Sequence, residues 1–419
     1  MEGHLQVLLI VDEYQDAYNW KAVVRGSSRD GHPVHPGDVA LLSEFMRGRL
    51  YFLTLRKSLR PKSTESDHFF TTDDDFKYLP FNSDFGPLCL SSLLRYCGLI
   101  KSKLCCSELR NKRIIHYTSL EGPEQRANAM FLVTAFAVLH LGQSPARAIA
   151  NCCPRGAQVP PILPFRDASV HPRSKHIHLF DCLCALRVAR ARGLFDPADL
   201  DVSDCERLQV SRLDFSWVVP RRLLAFAGPR DEGPGHPPCA YVGYFLSEGV
   251  STVVRLNRPE YDRRAFLRVG IRHHDLFFPD GTAPTRALAV AFLSLCEGAG
   301  ALAVHCRAGL GRTGVLIASR LVSHYGMRPR EAVAWVRICR PGSIMSCQQE
   351  WLEANEGFLA AAGHPRNHLQ TAPESGPRRL SFRHPREGRG GGGGTLHHQS
   401  LRESGKYRER DPRHAQGSL

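Results

Sequence analysis

Residues 301–318 read Ala301-Leu302-Ala303-Val304-His305-Cys306-Arg307-Ala308-Gly309-Leu310-Gly311-Arg312-Thr313-Gly314-Val315-Leu316-Ile317-Ala318. The first four form a short apolar run of the kind that makes a buried strand, and the last four open an apolar helical stretch. Between them lies a glycine-rich turn, with Cys306 at the strand end and Arg312 six positions later. Backbone N–H groups in such a turn, with the dipole of the helix that follows, make an anion site. The same field favours the thiolate form of Cys306 and makes it a nucleophile. The planar fork of Arg312 can grip two oxygens of a phosphate. A thiolate, an anion cradle and an arginine in one loop are what cysteine-dependent hydrolysis of a phosphate ester needs.

Gly309, Gly311 and Gly314 also spell G-x-G-x-x-G, the pattern of a dinucleotide site. Here the turn carries the charged Arg312. The acidic residue expected about twenty positions on would be Glu331, within an apparent helix. The nucleophile reading accounts for more of the loop.

With 419 residues, 42% apolar and 23% charged, the chain is ordinary globular material with room for about two or three domains. A formal net charge of +14 favours acidic partners but marks no nucleic-acid site, and none is expected. No apolar run is long enough to predict a membrane span. The apolar stretch 5–11 lacks the basic n-region and small-residue cleavage site of a signal peptide, so an intracellular, non-secreted chain is expected. The 14 cysteines, including the pairs Cys105-Cys106 and Cys152-Cys153, lie mostly in apolar segments, as buried reduced thiols do. Cys182-x-Cys184 lacks metal-site spacing and the histidines are scattered, so neither metal nor cofactor is expected.

The chain also carries a diverged repeat. Lys112-Arg113-Ile114-Ile115-His116-Tyr117 mirrors Ala301-Leu302-Ala303-Val304-His305-Cys306. Leu141-Gly142-Gln143-Ser144-Pro145-Ala146-Arg147-Ala148-Ile149-Ala150 mirrors Tyr325-Gly326-Met327-Arg328-Pro329-Arg330-Glu331-Ala332-Val333-Ala334. Gly142 and Gly326 are separated by the same interval as Pro145 and Pro329, and upstream Asp84 with Pro87 parallels Asp280 with Pro284. Each copy reads strand, loop, apolar helix, short turn, helix, which predicts two α/β domains. In the first copy Tyr117 stands where the second has its cysteine, and the loop 118–126 lacks the Gly-x-x-Arg-Thr-Gly cradle. That copy cannot form a thiophosphate. Residues 186–192 look helical, with Gly193 as a cap, and predict a helix between the copies. Residues 365–419 hold 11 Lys and Arg against 5 Asp and Glu, a glycine run and few apolar residues, the composition of a disordered tail.

His305-Cys306-x-x-Gly309-x-x-Arg312-Thr313 resembles the signature of protein tyrosine and dual-specificity phosphatases. Longer stretches resemble one branch, the cell division cycle 14 phosphatase family. They are Arg49-Leu50-Tyr51-Phe52, Asp84-Phe85-Gly86-Pro87-Leu88, Leu163-Pro164-Phe165-Arg166-Asp167-Ala168, Asp275-Leu276-Phe277-Phe278 and Ala334-Trp335-Val336-Arg337-Ile338-Cys339-Arg340-Pro341-Gly342-Ser343. The resemblance runs from about residue 39 to about residue 360. It implies two tandem phosphatase-like α/β domains joined by a linker helix, the first inactive and helping to shape a substrate groove. The expected organisation is an unassigned extension at 1–38, the inactive domain at 39–190, a linker at 191–210, the catalytic domain at 211–363 and a disordered basic tail at 364–419, with the linker helix and its flanks near 181–209.

The resemblance also implies roles. Cys306 attacks phosphorus in line and becomes a thiophosphate. Arg312 stabilises the equatorial oxygens, within the phosphate-binding loop of Arg307, Ala308, Gly309, Leu310 and Gly311. His305 is expected to bond nearby backbone and hold the loop, and the Thr313 hydroxyl to donate to the sulfur. Asp280, in the glycine-hinged Phe277-Phe278-Pro279-Asp280-Gly281, is the expected general acid and later the base for water. Asp275, nearer the strand, is the runner-up. Gln348 and Gln349 match the family's water-positioning glutamine pair, but follow Ser346-Cys347 where the family commonly has Gly-Pro. The stretch between Asp280 and Cys306 looks one residue short near Gly298-Ala299-Gly300.

The implied function is dual-specificity hydrolysis of phosphoserine, phosphothreonine and phosphotyrosine in proteins. The sites would be proline-directed, of the cyclin-dependent-kinase type, in cell-cycle or cytoskeletal regulation. The implied compartments are nucleus, centrosome, spindle and cytoplasm. Two alternatives stay open: a phosphoinositide phosphatase, which would favour lysines in a loop that here carries Arg307 and Leu310, and an inactive phosphopeptide-binding scaffold. The family's acidic groove is reduced, since Ser144-Pro145-Ala146-Arg147 has no acid where members often have glutamates, while Asp201, Asp204 and Glu206 remain. In the tail, Arg378-Arg379-Leu380-Ser381-Phe382 resembles both a cyclin docking peptide and a basophilic-kinase site at Ser381.

Overall fold

The computed structural model describes residues 34–153, 159–169, 175–197, 213–233 and 235–363. Most of the N-terminal extension, the acidic trio Asp201, Asp204 and Glu206, residues 198–210 of the linker and the tail with its Arg378–Phe382 string lie outside the described residues.

Strands β1 (Val39–Met46), β2 (Leu50–Leu55) and β3 (Asp67–Phe70) precede helix α1 (Leu90–Cys105). Strand β4 (Arg113–Ser119) leads into α2 (Pro123–His140) and α3 (Pro145–Cys152), and the short pair β5 (Phe165–Arg166) and β6 (His176–Ile177) precedes α4 (Leu179–Ala191). The second half runs β7 (Phe215–Val219), β8 (Leu223–Phe226), α5 (Cys239–Ser247), β9 (Val250–Arg255), α6 (Arg264–Leu267), β10 (Arg272–Asp275) and α7 (Arg286–Cys296). It ends with β11 (Ala301–His305), α8 (Gly311–Tyr325), α9 (Pro329–Cys339), α10 (Ser346–Ala354) and α11 (Glu356–Ala362).

The two sheets repeat one topology. The first is ordered β1-β2-β4-β3, with β1 antiparallel to β2 and the other pairs parallel. Read from its antiparallel edge, the second is β7-β8-β11-β9-β10, again antiparallel only at the first pair. Strand β4 thus takes the place of β11, and the first sheet lacks a counterpart of β10. The helix turns match as well. Gly142 and Gly326 both adopt left-handed φ, at +67° and +68°, just past α2 and α8, a conformation that suits glycine. Pro145 and Pro329 then open α3 and α9, where a missing N–H costs nothing.

A single apolar core runs through both domains. Helix α4 is its hinge piece: Leu179, Cys182, Leu183, Ala185, Leu186 and Ala189 are buried against α2, α3 and α9. Each of the three leucines contributes roughly 1.5–3 kcal/mol by leaving water. The joining helix therefore lies at 179–191, ahead of most of the 191–210 stretch. The Asp181 carboxylate accepts the His178 N–H at 2.7 Å and starts the helix early, and Gly193, at φ +67°, ends it as expected. Trp335 of α9 is buried, donates from Nε1 to Val218 O at 2.9 Å and stacks on Phe195. Arg330 clasps Asp181 through Nη2 at 2.9 Å across the same seam. The far face of the second sheet carries its own core of Phe215, Phe226, Tyr241, Phe245 and Phe266. No disulfide joins the described cysteines.

Candidate active site

Strand β11 delivers His305 and Cys306, and α8 begins at Gly311, so Arg312 and Thr313 sit in its first turn. Between them the chain doubles back through Gly309 at φ +70°; a Cβ there would stand 2.0 Å from Phe226 O. Gly228 is required for the same reason, since its Cβ would lie 2.3 Å from Cys306 O and 2.7 Å from His305 Nδ1. Arg340 braces the loop from behind. It donates to Gly309 O at 2.7 Å and Ala308 O at 3.0 Å while paired with Asp214 at 2.7 Å. With those carbonyls bonded on the protein side, the loop's acceptors are kept away from an incoming anion. Sequence reasoning gave Arg340 no role; the available signal was a basic residue directly before Pro341-Gly342 at a helix end.

A cleft of about 570 Å³ opens over this loop. Cys306, 4% exposed, lies in it with Arg307, Ala308, Leu310, Gly311, Arg312 and Asp280. Phe81 and Ala168 of the first domain, and Arg230 and Met345 of the second, line it too. Neither Phe81 nor Arg230 was a sequence candidate. Phe81 was detectable only as an aromatic in the polar, proline-containing stretch before Asp84.

Asp280 is exposed, and its Oδ1 lies 3.2 Å from Arg312 Nη2. Arg312 is buried and also donates from Nη1 to Phe278 O at 3.2 Å, so the arginine of the phosphate loop holds the acid loop at two points. Arg312 Nε is buried with no partner among the described residues. Asp275 stands apart, at the end of β10, bonded to Arg255 Nε at 2.6 Å. Burial pushes its carboxyl up, but the Arg255 hydrogen bond and charge outweigh that and leave it below its ordinary value.

The Thr313 hydroxyl is buried but bonds nothing among the described residues, so the donation to sulfur is not formed: the helical turn holding Thr313 does not bring its Oγ1 within bonding range of Cys306. Gln349 is buried and donates from Nε2 to Glu353 at 2.9 Å, one helical turn along α10, while its Oε1 has no partner among the described residues. Gln348 lies beside the phosphate loop. Its Oε1 would lie 3.1 Å from a Cβ at Gly311, its Nε2 donates to Thr282 O at 3.1 Å, and its Oε1 accepts Met345 N at 2.9 Å. Cys347, where the family commonly has proline, donates its thiol to Gly281 O at 3.1 Å. Ser346 reaches the other way, to Asp167 Oδ2 of the first domain at 2.9 Å. The start of α10 is thus clipped to both the acid loop and the neighbouring domain.

His305 is fully buried, and burial lowers its pKa to about 3. Its Nδ1 lies 2.9 Å from Cys306 O. In the first domain, His116 occupies the matching place on β4 and bonds Thr72 and Tyr96 instead. Tyr117 follows it, buried in a small cluster with Tyr51, Leu53, Leu55 and Ile115. Among the described residues no group of His, Cys, Asp or Glu is placed to hold a metal ion, and no helix is long and apolar enough to cross a membrane.

Residues 44–189 match the family described as dual specificity protein phosphatase, N-terminal half. Residues 212–352 match the Swiss Army Knife protein, DSP-PTPase phosphatase domain. Dual specificity protein phosphatase CDC14A of Homo sapiens is 42% identical over 348 residues, covering 81% of this chain and 58% of its own length. Dual specificity protein phosphatase CDC14C of Homo sapiens is 38% identical over 331 residues, covering 77% and 73%. The tyrosine-protein phosphatase CDC14 homolog of Schizosaccharomyces pombe is 35% identical over 361 residues, covering 82% and 66%. The chain spans little more than half the length of the CDC14A relatives it matches. With its paired sheets, its cysteine–arginine loop and this likeness over both halves, the chain belongs to the CDC14 family of dual-specificity phosphatases.

Proposed function

We propose that the chain hydrolyses phosphoserine, phosphothreonine and phosphotyrosine in proteins through a thiophosphate on Cys306. One observation carries this reading: Cys306, Arg312 and Asp280 line a single cleft, and Arg312 is bonded to the acid loop. The Cys306 thiolate attacks phosphorus, forming an S–P bond as the ester P–O bond breaks. Asp280 gives its proton to the departing oxygen, which a serine or threonine alkoxide needs more than a phenoxide does. Arg312 and the loop N–H groups neutralise the charge gathered on the three equatorial oxygens. In the second step Asp280 takes a proton from water, the water oxygen bonds to phosphorus, and the S–P bond breaks to regenerate the thiolate. Gln348, beside Gly311, is suited to orient that water.

The first domain, assigned to 39–190, contributes Phe81 and Ala168 to the cleft wall, which supports a part in substrate binding alongside the catalytic 211–363. Proline-directed sites, a cell-cycle or cytoskeletal setting, a nuclear or centrosomal location and cyclin docking by the tail belong to the same proposal and rest on family likeness. Purified protein, offered phosphoserine-proline, phosphothreonine-proline and phosphotyrosine peptides and a phosphoinositide, tests it. Peptide turnover that is lost in Cys306→Ser supports the reading. Turnover of the phosphoinositide alone, or peptide binding without turnover, replaces it with a lipid phosphatase or a scaffold.

A further inference from the structure

Beneath the phosphate loop lies a buried chain of groups that the chemistry above does not use. Tyr261 OH lies 2.8 Å from His305 Nε2 and 2.8 Å from His273 Nε2. His305 Nδ1 lies 2.9 Å from Cys306 O. Tyr261, His273 and His305 are buried, and Phe226 and Phe266 pack on the two imidazoles.

One proton arrangement satisfies this geometry. The Cys306 carbonyl can only accept, so His305 must carry its proton on Nδ1. Burial lowers both imidazoles, His305 to about 3 and His273 to about 4, so at neutral pH each has a single N–H. His305 Nε2 is then bare and must accept from Tyr261. The Tyr261 hydroxyl has one proton and gives it to His305, so its oxygen faces His273 as an acceptor. His273 must therefore donate from Nε2. Its Nδ1 is left bare, in agreement with the lack of any hydrogen-bond partner there. Asp275 Oδ2, at 3.9 Å, is too far to receive a proton from it and is drawn instead to Arg255 and Arg263. The reversed arrangement, with the His305 proton on Nε2, would set the bare Nδ1 and the Cys306 carbonyl oxygen lone pair to lone pair.

We propose that His273 is a positioning residue for the nucleophile: by donating to Tyr261 it fixes the proton and ring plane of His305, and so holds the Cys306 peptide in the shape the anion loop requires. Two features give this reach. The carbonyl that His305 secures belongs to the nucleophile itself, and Gly228 is cut back to nothing where these two groups meet. Remove the His273 N–H and the Tyr261 hydroxyl is free to turn, His305 loses its fixed acceptor geometry, and the Cys306 peptide loses its anchor.

The proposal rests on Cys306 being the nucleophile, so the thiol is titrated directly. Full-length protein is treated with iodoacetamide across a pH series without substrate, and modification of the Cys306 peptide is followed by mass spectrometry. His273→Leu is expected to move the midpoint of that profile up by about one unit and to lower kcat about tenfold with KM little changed. His273→Gln, whose amide can offer an N–H at the same place, restores most of both. Tyr261→Phe behaves as His273→Leu, and the double variant is no worse than either. A profile in His273→Leu that coincides with wild type overturns the relay, as does a His273→Gln that fails equally. Where His273→Leu does not fold, Tyr261→Phe decides: an unmoved midpoint overturns the proposal. A wild-type Cys306 that alkylates no more readily than the exposed Cys239 overturns the phosphatase reading itself, which separates the two failures.

Discussion

Asp280 Oδ1 stands 3.2 Å from Arg312 Nη2, so the carboxyl assigned to deliver the proton is paired with the guanidinium assigned to hold the phosphate. A phosphate entering the loop competes with Asp280 for the same fork. On the proposed mechanism, binding and arming of the acid would be one event: the oxygens take Arg312, and the carboxyl is released toward the leaving group.

Asp280→Asn separates the two consequences. Loss of the acid should lower kcat on phosphoserine peptides by roughly 10²-fold or more, and much less on an aryl phosphate whose phenol departs without help. Loss of the competing charge should leave inorganic phosphate, as a competitive inhibitor, binding as well as to wild type or better. Steady-state kinetics on the two substrates with phosphate inhibition check this. Equal losses on both substrates would show that Asp280 only shapes the loop.

Gln348 joins three parts of the site: the start of α10 at Met345, the acid loop at Thr282 and the phosphate loop at Gly311. Gln348→Leu should slow release of the thiophosphate more than its formation, because the residue best placed to orient water is gone. The sign is a burst of product from an aryl phosphate, followed by a steady rate about tenfold lower than wild type. A lower rate with no burst would mean that Gln348 serves formation of the intermediate, through its bond to the acid loop. Gln349, bonded to Glu353, should tolerate the same change.

Much of this arrangement was legible in the chain. A strand, a cysteine, three glycines and an arginine within fourteen residues fix local geometry by short-range physics, and the structure places β11, the loop and α8 accordingly. The Gly142/Gly326 and Pro145/Pro329 pairs gave away the duplication because turn chemistry survives when side chains drift. What could not be read were contacts between distant segments. Arg340 behind the loop, Phe81 at the cleft rim and Tyr261 under His305 each act over tens of residues, and nothing in their neighbourhoods says what they will meet. The bonds of Thr313 and Gln349 could not be read for the complementary reason: a motif gives a residue's position along a helix, while its hydroxyl or amide takes whichever partner the local packing offers.

Arg337 shows why the second domain needs the first. It is fully buried in α9, where desolvation alone pulls its pKa down. Its Nε and Nη2 donate to Ser343 O and Ile344 O, and Nη1 has no partner among the described residues. The charges that compensate it, Asp167 and Asp84, both belong to the first domain. Asp167 is 2% exposed and also accepts from Ser169 and Ser346. Asp167→Ala should therefore destabilise by about 3 kcal/mol, since it strands a buried cation and two hydroxyls, and Asp167→Asn by about 1 kcal/mol. Urea unfolding measures both. A change within 0.5 kcal/mol for Asp167→Ala, the range of an ordinary surface substitution, would show that Arg337 draws its compensation elsewhere.

His116 allows the pH dependence of stability to be tested away from the chemistry. It is fully buried in the first domain, between Thr72 Oγ1 at 2.9 Å and Tyr96 OH at 3.0 Å, and burial lowers its pKa from 6.5 to about 3. Between those values the unfolded chain binds a proton that the folded chain refuses. Stability is fully present above pH 6.5 and falls as the pH drops toward 3. At pH 5 the loss from this one group is about 2 kcal/mol. His305, at about 3, and His273 and His140, each at about 4, act in the same direction, so each steepens the slope between pH 6.5 and 5. His116→Gln removes one of these contributions. The variant should be less stable than wild type at pH 7.5, where a pair of buried bonds is disturbed, and should lose stability more slowly on acidification. Urea midpoints at pH 7.5, 6.5, 5.5 and 5.0 for both proteins give the two slopes, and parallel slopes would mean that His116 is protonated in the folded domain after all.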